Sequence, residues 1–352
     1  MYQRKTPVNM EKKSTFDYDF DSLKNKKAMV VGDLIIDHYR FLKEKKLSPE
    51  APVIVFTPVS EEIRAGGAAN VANNLAALGF QSELFTAMGR HPKDEKFANY
   101  MSSMPFDTFS VVKTETTVKE RLATSRQPLA RIDSQSIDSL DKKEEDILFN
   151  EIASKLKEFS VVVFSDYAQG VLSRELVKKI INECILQKIP TVVNSKSRDY
   201  VKYECANISI FNHNEAREIT GMADFDDESI AHFLYKSLDM HPDSKEKLRM
   251  DGFIFKIAVA LTRGAGGILL CTDRKNGITV HPVVDSREDE VVDVTGAGDT
   301  LTAAVAAGIV LGLDFSQQML LGNIAASIVI KRRGTSCVSP EEINNIKEKI
   351  NA

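Results

Sequence analysis

Asp293-Val294-Thr295-Gly296-Ala297-Gly298-Asp299-Thr300 follows a β-branched run, Glu290-Val291-Val292, and opens a small-residue apolar segment from Leu301 to Leu313. The pattern reads as a strand end, a glycine turn and a helix start. Glycine lets backbone N–H groups approach an anion with no Cβ in the way. A helix N-terminus adds unpaired donors and the positive end of a dipole. Asp299 sets a carboxylate in the same turn. That pairing suits phosphoryl transfer, with backbone donors holding charge on the moving group and Asp299 taking the proton of an attacking hydroxyl. An ordinary αβ turn with Asp299 near the N-cap is the plain alternative. A second motif upstream weighs against it.

That second motif is Arg64-Ala65-Gly66-Gly67-Ala68-Ala69-Asn70, running into apolar residues at helical spacing that end at Gly79. The two glycines admit close backbone approach. Asn70, in the first turn, offers a donor and an acceptor to hydroxyls. Close helix–sheet packing would also account for the glycines.

Outward from these motifs the chain alternates. Lys26 to Asp33 is a buried-strand pattern ending in a carboxylate, with Asp37 four residues on. Three more strands end in polar residues: Val161 to Tyr167, Thr191 to Lys196, and Ile208 to Glu215. Ligands of α/β sheets sit beyond such strand ends, so these predict one rim of a parallel sheet. Ile257 to Gly267 is a strand entering another glycine turn, and Ile268 to Cys271 with Gly277 to Val283 fit a β pair. Helices are expected over 142–158, 176–187, 224–250 and 315–330, and after Ser339-Pro340. Two segments, 38–62 and 105–133, carry short β runs between breakers and suggest a small β lid. Lys119, Arg121, Arg126 and Arg131 make the second one cationic. Solvated surface is the plain reading of those cations; a site for a phosphate on the substrate is the other. Residues 1–22 are polar and read as a loose tail, leaving 23–352 as one domain.

The 352 residues can bury a full core; 43% are hydrophobic and 27% charged, which is globular. A net charge of −4 leaves no nucleic-acid footprint. Apolar runs are too short to span a bilayer and no secretion signal is visible. The four cysteines are dispersed and read as reduced thiols in a cytoplasmic protein. No Gly-x-x-x-x-Gly-Lys-[Ser/Thr] motif occurs, which disfavours a P-loop fold.

From about Lys26 onward the sequence resembles the ribokinase-like carbohydrate kinases, through Gly66-Gly67-Ala68-Ala69-Asn70 paired with Asp293 to Asp299. Further stretches are similar to one branch, the kinases of D-glycero-D-manno-heptose 7-phosphate in bacterial lipopolysaccharide assembly. These are Leu47-Ser48-Pro49-Glu50-Ala51-Pro52-Val53, Ser165-Asp166-Tyr167-Ala168-Gln169-Gly170, and Gly334-Thr335-Ser336 with Val338-Ser339-Pro340.

The resemblance implies a doubly wound, mostly parallel α/β sheet flanked by helices, with a small β lid that often makes a dimer contact. It implies ATP-dependent phosphorylation of the anomeric hydroxyl of D-glycero-D-manno-heptose 7-phosphate, the alternatives being the same chemistry on another sugar or phosphosugar, or a non-catalytic sugar- or nucleotide-binding regulator. Asp299 is then the base, and Gly296, Ala297 and Gly298 the anion hole. Asp33, Asp37, Gly66, Gly67 and Asn70 hold the sugar, with Lys119, Arg121 and Arg126 for its phosphate. Asn212 and Glu215 order Mg²⁺ and its waters, and Lys196 lies near the ATP phosphates. Thr262 and Gly264 form the turn at the nucleotide, and Asn323 lies beside the adenine. Asp293, Thr295, Val329 and Gly334 match positions for a monovalent cation such as K⁺. Departures from the branch are Asn194-Ser195 before Lys196, where Asp-Pro is usual, Ala65 in place of proline, and Phe211 before Asn212. The heptose enzymes are often fused to a nucleotidyltransferase domain; with this chain a second step is expected to need another protein.

Overall fold

The computed structural model describes residues 18–90, 94–124, 127–134, 138–239, 257–272, 277–282 and 290–351. Strand β1 (Lys27–Gly32) is an interior strand whose apolar residues are buried on both faces. Successive strand residues point to opposite sides. Ala28 and Val30 therefore enter one core cluster, and Met29 and Val31 another.

The chain leaves β1 for β2 (Leu34–Leu47) and β3 (Ile54–Gly67), then helix α1 (Ala68–Ala77) and strand β4 (Gln81–Gly89). Helix α2 (Glu95–Ser102) leads to β5 (Asp107–Lys113), followed by β6 (Thr117–Ala123) and β7 (Pro128–Ser134). Regular alternation then resumes with α3 (Lys142–Lys155), β8 (Phe159–Asp166), α4 (Arg174–Leu186), β9 (Thr191–Ser195) and β10 (Ile208–Asn212). Helices α5 (His213–Thr220) and α6 (Asp227–Leu238) precede β11 (Ala258–Thr262), β12 (Ile268–Cys271) and β13 (Ile278–His281). Helices α7 (Ala297–Val310), α8 (Phe315–Val329) and α9 (Pro340–Asn351) complete the described chain.

Among the described residues one sheet has the order β13-β12-β11-β10-β9-β8-β1-β4-β5 and a second the order β3-β2-β6-β7. The large sheet is parallel from β5 to β11, with β12 and β13 antiparallel at the edge. Helices α1, α7 and α8 cover one face, and α3, α4 and α6 the other. Strand order reverses between β1 and β8, the place where such sheets open a crevice at the carboxyl ends of their strands. The ends of β8, β9 and β10 line up there, as their polar endings predict.

The small sheet and the run before α7 differ from what the sequence suggests. The small sheet starts at Leu34, directly after Asp33, and runs to Gly67, so its first segment is wider than 38–62. Its second segment begins at Thr117, because residues 107–113 of the expected 105–133 pair parallel with β4 in the large sheet. The alternating, half-polar Asp107–Lys113 suits an exposed edge strand, which sequence periodicity cannot tell from a lid strand. The run at 290–292 is no strand: Val292 and Asp293 instead donate their N–H groups to the Ile330 carbonyl.

Residues 18–22 of the expected loose tail are packed, because Tyr18 and Phe20 stack edge-on and bury into the core. Residues 240–250 of the helical elaboration expected at 224–250, and Val283 of the β pair, lie outside the described residues. No helix among the described residues is long and apolar enough to cross a membrane.

Candidate active site

Gly296 adopts φ 80°, the left-handed region that glycine enters at little cost, and caps α7 with no side chain. A Cβ there would sit 2.8 Å from Asn70 Nδ2. The turn is braced from below: Asp293 Oδ1 accepts from the Thr295 N–H at 2.9 Å and hydroxyl at 2.7 Å, and Oδ2 from the Gly334 N–H at 2.8 Å. Burial pushes the Asp293 carboxyl up, but these donors outweigh it and the carboxyl ends below its usual range. Of the three residues expected to cradle an anion, Ala297 already donates its N–H to the Val294 carbonyl at 3.2 Å. Gly298 lies open to the cleft.

Asp299 follows in the first turn of α7 and is 2% exposed. Its Oδ2 accepts from Asn70 Nδ2 at 2.9 Å, and its Oδ1 from the Tyr167 hydroxyl at 2.8 Å. Burial drives its carboxyl up to about 6, against the opposing pull of those two donors and the Lys196 charge. Asn70 is aimed by Asn74, whose amide donates to Asn70 Oδ1 at 3.2 Å and to the Asn70 carbonyl at 2.9 Å.

The carboxylate faces a polar cleft of about 400 Å³ whose walls include Asp37, Gly67, Lys119, Arg121, Lys196 and Glu215. Asp37 on β2 is ion-paired with Arg121 on the neighbouring β6. Gly66 permits this packing, since a Cβ at that position would meet Asp37 Oδ2 at 2.7 Å. The Arg121 guanidinium also lies 5.1 Å from the centre of the Tyr39 ring. The Lys196 ammonium lies 3.5 Å from Glu215 Oε1 and 4.2 Å from the centre of the Tyr167 ring. Lys119 approaches the same ring at 5.6 Å; burial, followed by the Lys196 charge, depresses its pKa.

Asp33 stands apart from this lining. It is buried at the end of β1, and its carboxylate accepts the N–H groups of Tyr167, Gln169 and Val171 at 2.8–3.1 Å. Burial, then the nearby Asp166 charge, raise its carboxyl to about 6 despite those bonds. Its place here is beneath the cleft, holding the loop that carries Tyr167. Arg126 lies outside the described residues.

Asn212 and Glu215 close a reciprocal capping box on α5: Asn212 Oδ1 accepts from the Glu215 N–H at 2.8 Å, and Glu215 Oε2 from the Asn212 N–H at 3.2 Å. Both residues also line the cleft, leaving Glu215 Oε1 toward Lys196. The cap therefore serves as the mount of the carboxylate. Among the described residues no cluster of three or more His, Cys, Asp or Glu side chains could cage a metal. The single Glu215 carboxylate, with Asn212 and Lys196 beside it, still fits Mg²⁺, which takes one or two carboxylates and keeps several waters.

A second, apolar cleft of about 280 Å³ adjoins the first and shares Thr262, Val294 and Gly298 with it. Gly264, Leu301, Asn323 and Ile330 are among its walls. Asn323 donates to the Pro282 carbonyl at 2.6 Å. Of the four residues matched to a monovalent cation, Thr295 and Gly334 both donate to the Asp293 carboxylate, and Val329 ends α8 just before Ile330. The Asp293 carboxylate is thus already served by three donors.

Sequence reasoning missed Tyr167, Asn194 and Thr335, which line the polar cleft. Tyr167 and Asn194 stand at or just beyond the ends of β8 and β9, strand ends that the sequence marks as a rim without giving these two residues a role.

The bifunctional protein HldE of Syntrophotalea carbinolica is 34% identical over 333 residues, covering 92% of this chain and 63% of that protein. The bifunctional protein HldE of Geobacter sulfurreducens is 35% identical over 319 residues, covering 90% of this chain and 62% of the relative. The chain thus spans less than two thirds of the length of these relatives. Among solved structures, phosphofructokinase-2 from Escherichia coli, in complex with substrates and products, shares the fold at TM-score 0.69 and 15% identity, covering 93% of this chain and 100% of the other. Arabidopsis thaliana ribokinase, complexed with ribose and ATP, does so at TM-score 0.65 and 17% identity, covering 92% and 99%. The description of the pfkB family carbohydrate kinases matches residues 25–342. With that match and these relatives, the chain belongs to the pfkB family of carbohydrate kinases.

Proposed function

We propose that the chain transfers the γ-phosphoryl group of ATP to the anomeric hydroxyl of D-glycero-D-manno-heptose 7-phosphate, giving the 1,7-bisphosphate and ADP. The observation that carries the reading is the buried Asp299 carboxylate at a helix N-terminus, facing a cleft lined by Lys196, Lys119 and Arg121. Asp299 takes the hydroxyl proton as the sugar oxygen bonds to phosphorus and the bond to the ADP oxygen breaks. The Gly298 end of α7 holds the charge on the moving group. Lys196 offsets charge on the ATP phosphates. Glu215 and Asn212 would hold Mg²⁺ through water, and the ion would neutralise the phosphate oxygens when bound. Asp37, Gly67 and Asn70 orient the sugar, and Lys119 and Arg121 receive its existing phosphate. Adenine occupies the apolar cleft by Asn323.

The choice of heptose rests on the Ser-Pro-Glu-Ala-Pro-Val and Ser-Asp-Tyr-Ala stretches and on the cations of the polar cleft. Another phosphosugar is the second reading, favoured by Asn194-Ser195 standing before Lys196. A panel of sugars and sugar phosphates, read by ADP release, tests both. The heptose phosphate should give the highest kcat/KM, and a better substrate elsewhere in the panel overturns the choice. Asp299→Asn should lower kcat by about a hundredfold or more; near-normal turnover would remove the base.

The same reading takes the chain as a cytoplasmic homodimer joined through the small sheet. Leu47, Ile54 and Val59 are exposed on that sheet. Sedimentation of wild type against Val59→Lys tests this, and an unchanged mass would count against the interface.

A further inference from the structure

We infer that Tyr167 is the positioning residue of the base: its hydroxyl fixes the Asp299 carboxylate and sets how tightly that carboxylate holds a proton. The inference rests on the reading of Asp299 given above.

Tyr167 immediately follows Asp166, the last residue of β8, and the next turns of chain are clamped from beneath. Asp33 Oδ2 accepts the N–H groups of Tyr167 at 2.8 Å and Gln169 at 3.1 Å, and Oδ1 that of Val171 at 3.1 Å. Asp166 Oδ1 takes the Ala168 N–H at 2.9 Å. Ala168 itself has φ 56°, a conformation alanine seldom adopts, and the clamp is what holds it there. Two buried carboxylates thus fix the backbone from which the phenol projects.

The phenol ends in a defined contact, 2.8 Å from Asp299 Oδ1, while Asn70 occupies Oδ2 from the opposite side. Burial, with the Asp299 charge next, pushes the Tyr167 hydroxyl far above its usual range, so it keeps its proton and serves as a donor. The charged groups facing the pair are Lys196 after β9, Lys119 on β6, Asp37 on β2 and Glu215 on α5. The two ammonium groups lie against the ring of the same tyrosine, 4.2 Å (Lys196) and 5.6 Å (Lys119) from its centre, and the Tyr167 hydroxyl is the donor bonded to Oδ1. A packing role alone would need only the ring. The hydroxyl matters here because it stabilises the anion of the base against burial.

Tyr167→Phe keeps the ring and deletes the donor. The test uses the full chain with aspartate labelled at the carboxyl carbon, the Asp299 signal being assigned by its loss in Asp299→Asn. Without the donor the anion is less favoured, so the Asp299 titration midpoint should rise by about one pH unit, a tenfold change. A midpoint that does not move overturns the inference. Should Tyr167→Phe fail to fold, replacing tyrosine throughout by 3-fluorotyrosine, a stronger donor, should lower the midpoint, and no shift again overturns it.

With substrate, the acidic limb of kcat should move upward in Tyr167→Phe in step with the titration. If wild type phosphorylates no sugar in the panel, the substrate reading falls, and if Asp299→Asn stays active, the base assignment falls. The titration still decides Tyr167 on its own.

Discussion

The Lys202 ammonium lies 2.8 Å from Asp166 Oδ2, with the two side chains 6% and 2% exposed. The same oxygen accepts the Tyr203 hydroxyl at 2.7 Å and the Ser195 hydroxyl at 3.0 Å, and Lys202 also donates to the Leu172 carbonyl at 2.7 Å. This ion pair underlies the loop that presents Tyr167. Removing one partner of a buried pair leaves the other charge uncompensated. Lys202→Met should therefore lower stability by about 3–5 kcal/mol, read as the shift of a urea unfolding curve. A loss under about 1 kcal/mol would mean that water reaches Asp166.

The Asp299 carboxyl is raised to about 6, chiefly by burial. A base must be ionised to act, so protonation removes activity below that value. The acidic limb of kcat/KM should centre near pH 6, falling about tenfold per unit below it. A profile flat down to pH 5 would show that the free enzyme leaves Asp299 more solvated than its contacts with Asn70 and Tyr167 imply.

Arg121 faces the cleft while pairing with Asp37. Arg121→Ala should raise KM for a phosphorylated sugar by roughly tenfold or more, the scale of one charge-assisted hydrogen bond. An unphosphorylated analogue should respond less. Equal effects on both sugars would assign Arg121 to Asp37 and not to the phosphate.

Gly296→Ala combines a left-handed φ of 80° with a Cβ placed 2.8 Å from Asn70 Nδ2. Relief requires Asn70 to move, and Asn70 is one of the two donors on Asp299. The variant should lose kcat by about tenfold or more and stability by about 1–2 kcal/mol. Full activity in steady-state assays would place the anion contacts elsewhere than this turn.

How much of this was legible beforehand depended on distance along the chain. Buried β-branched runs at β1, β8, β9 and β10 carry their own signal, so the parallel sheet and its rim could be read directly. The turn at 296–299 was legible because glycine and aspartate chemistry sits within one helical turn. The limits of the small sheet were not, since Asp107–Lys113 and Thr117–Ala123 have the same half-polar pattern and differ only in which strand they meet. Asp33 illustrates a second limit: the sequence places a carboxylate at a strand end, but not whether it faces the cleft or the backbone of residues 167–171. Tyr167 meets Asp299 across 132 positions of sequence, a separation at which local pattern is silent.

The small sheet leaves the body directly after Asp33 and rejoins it at Gly67, one residue before α1. These two of its attachment points, flanking β2 and β3, therefore adjoin the residues that carry the Tyr167 clamp and Asn70. A tilt of that sheet would act as a lever on both arms gripping the Asp299 carboxylate. Shutting the cleft and aligning the proton acceptor would then be a single mechanical event.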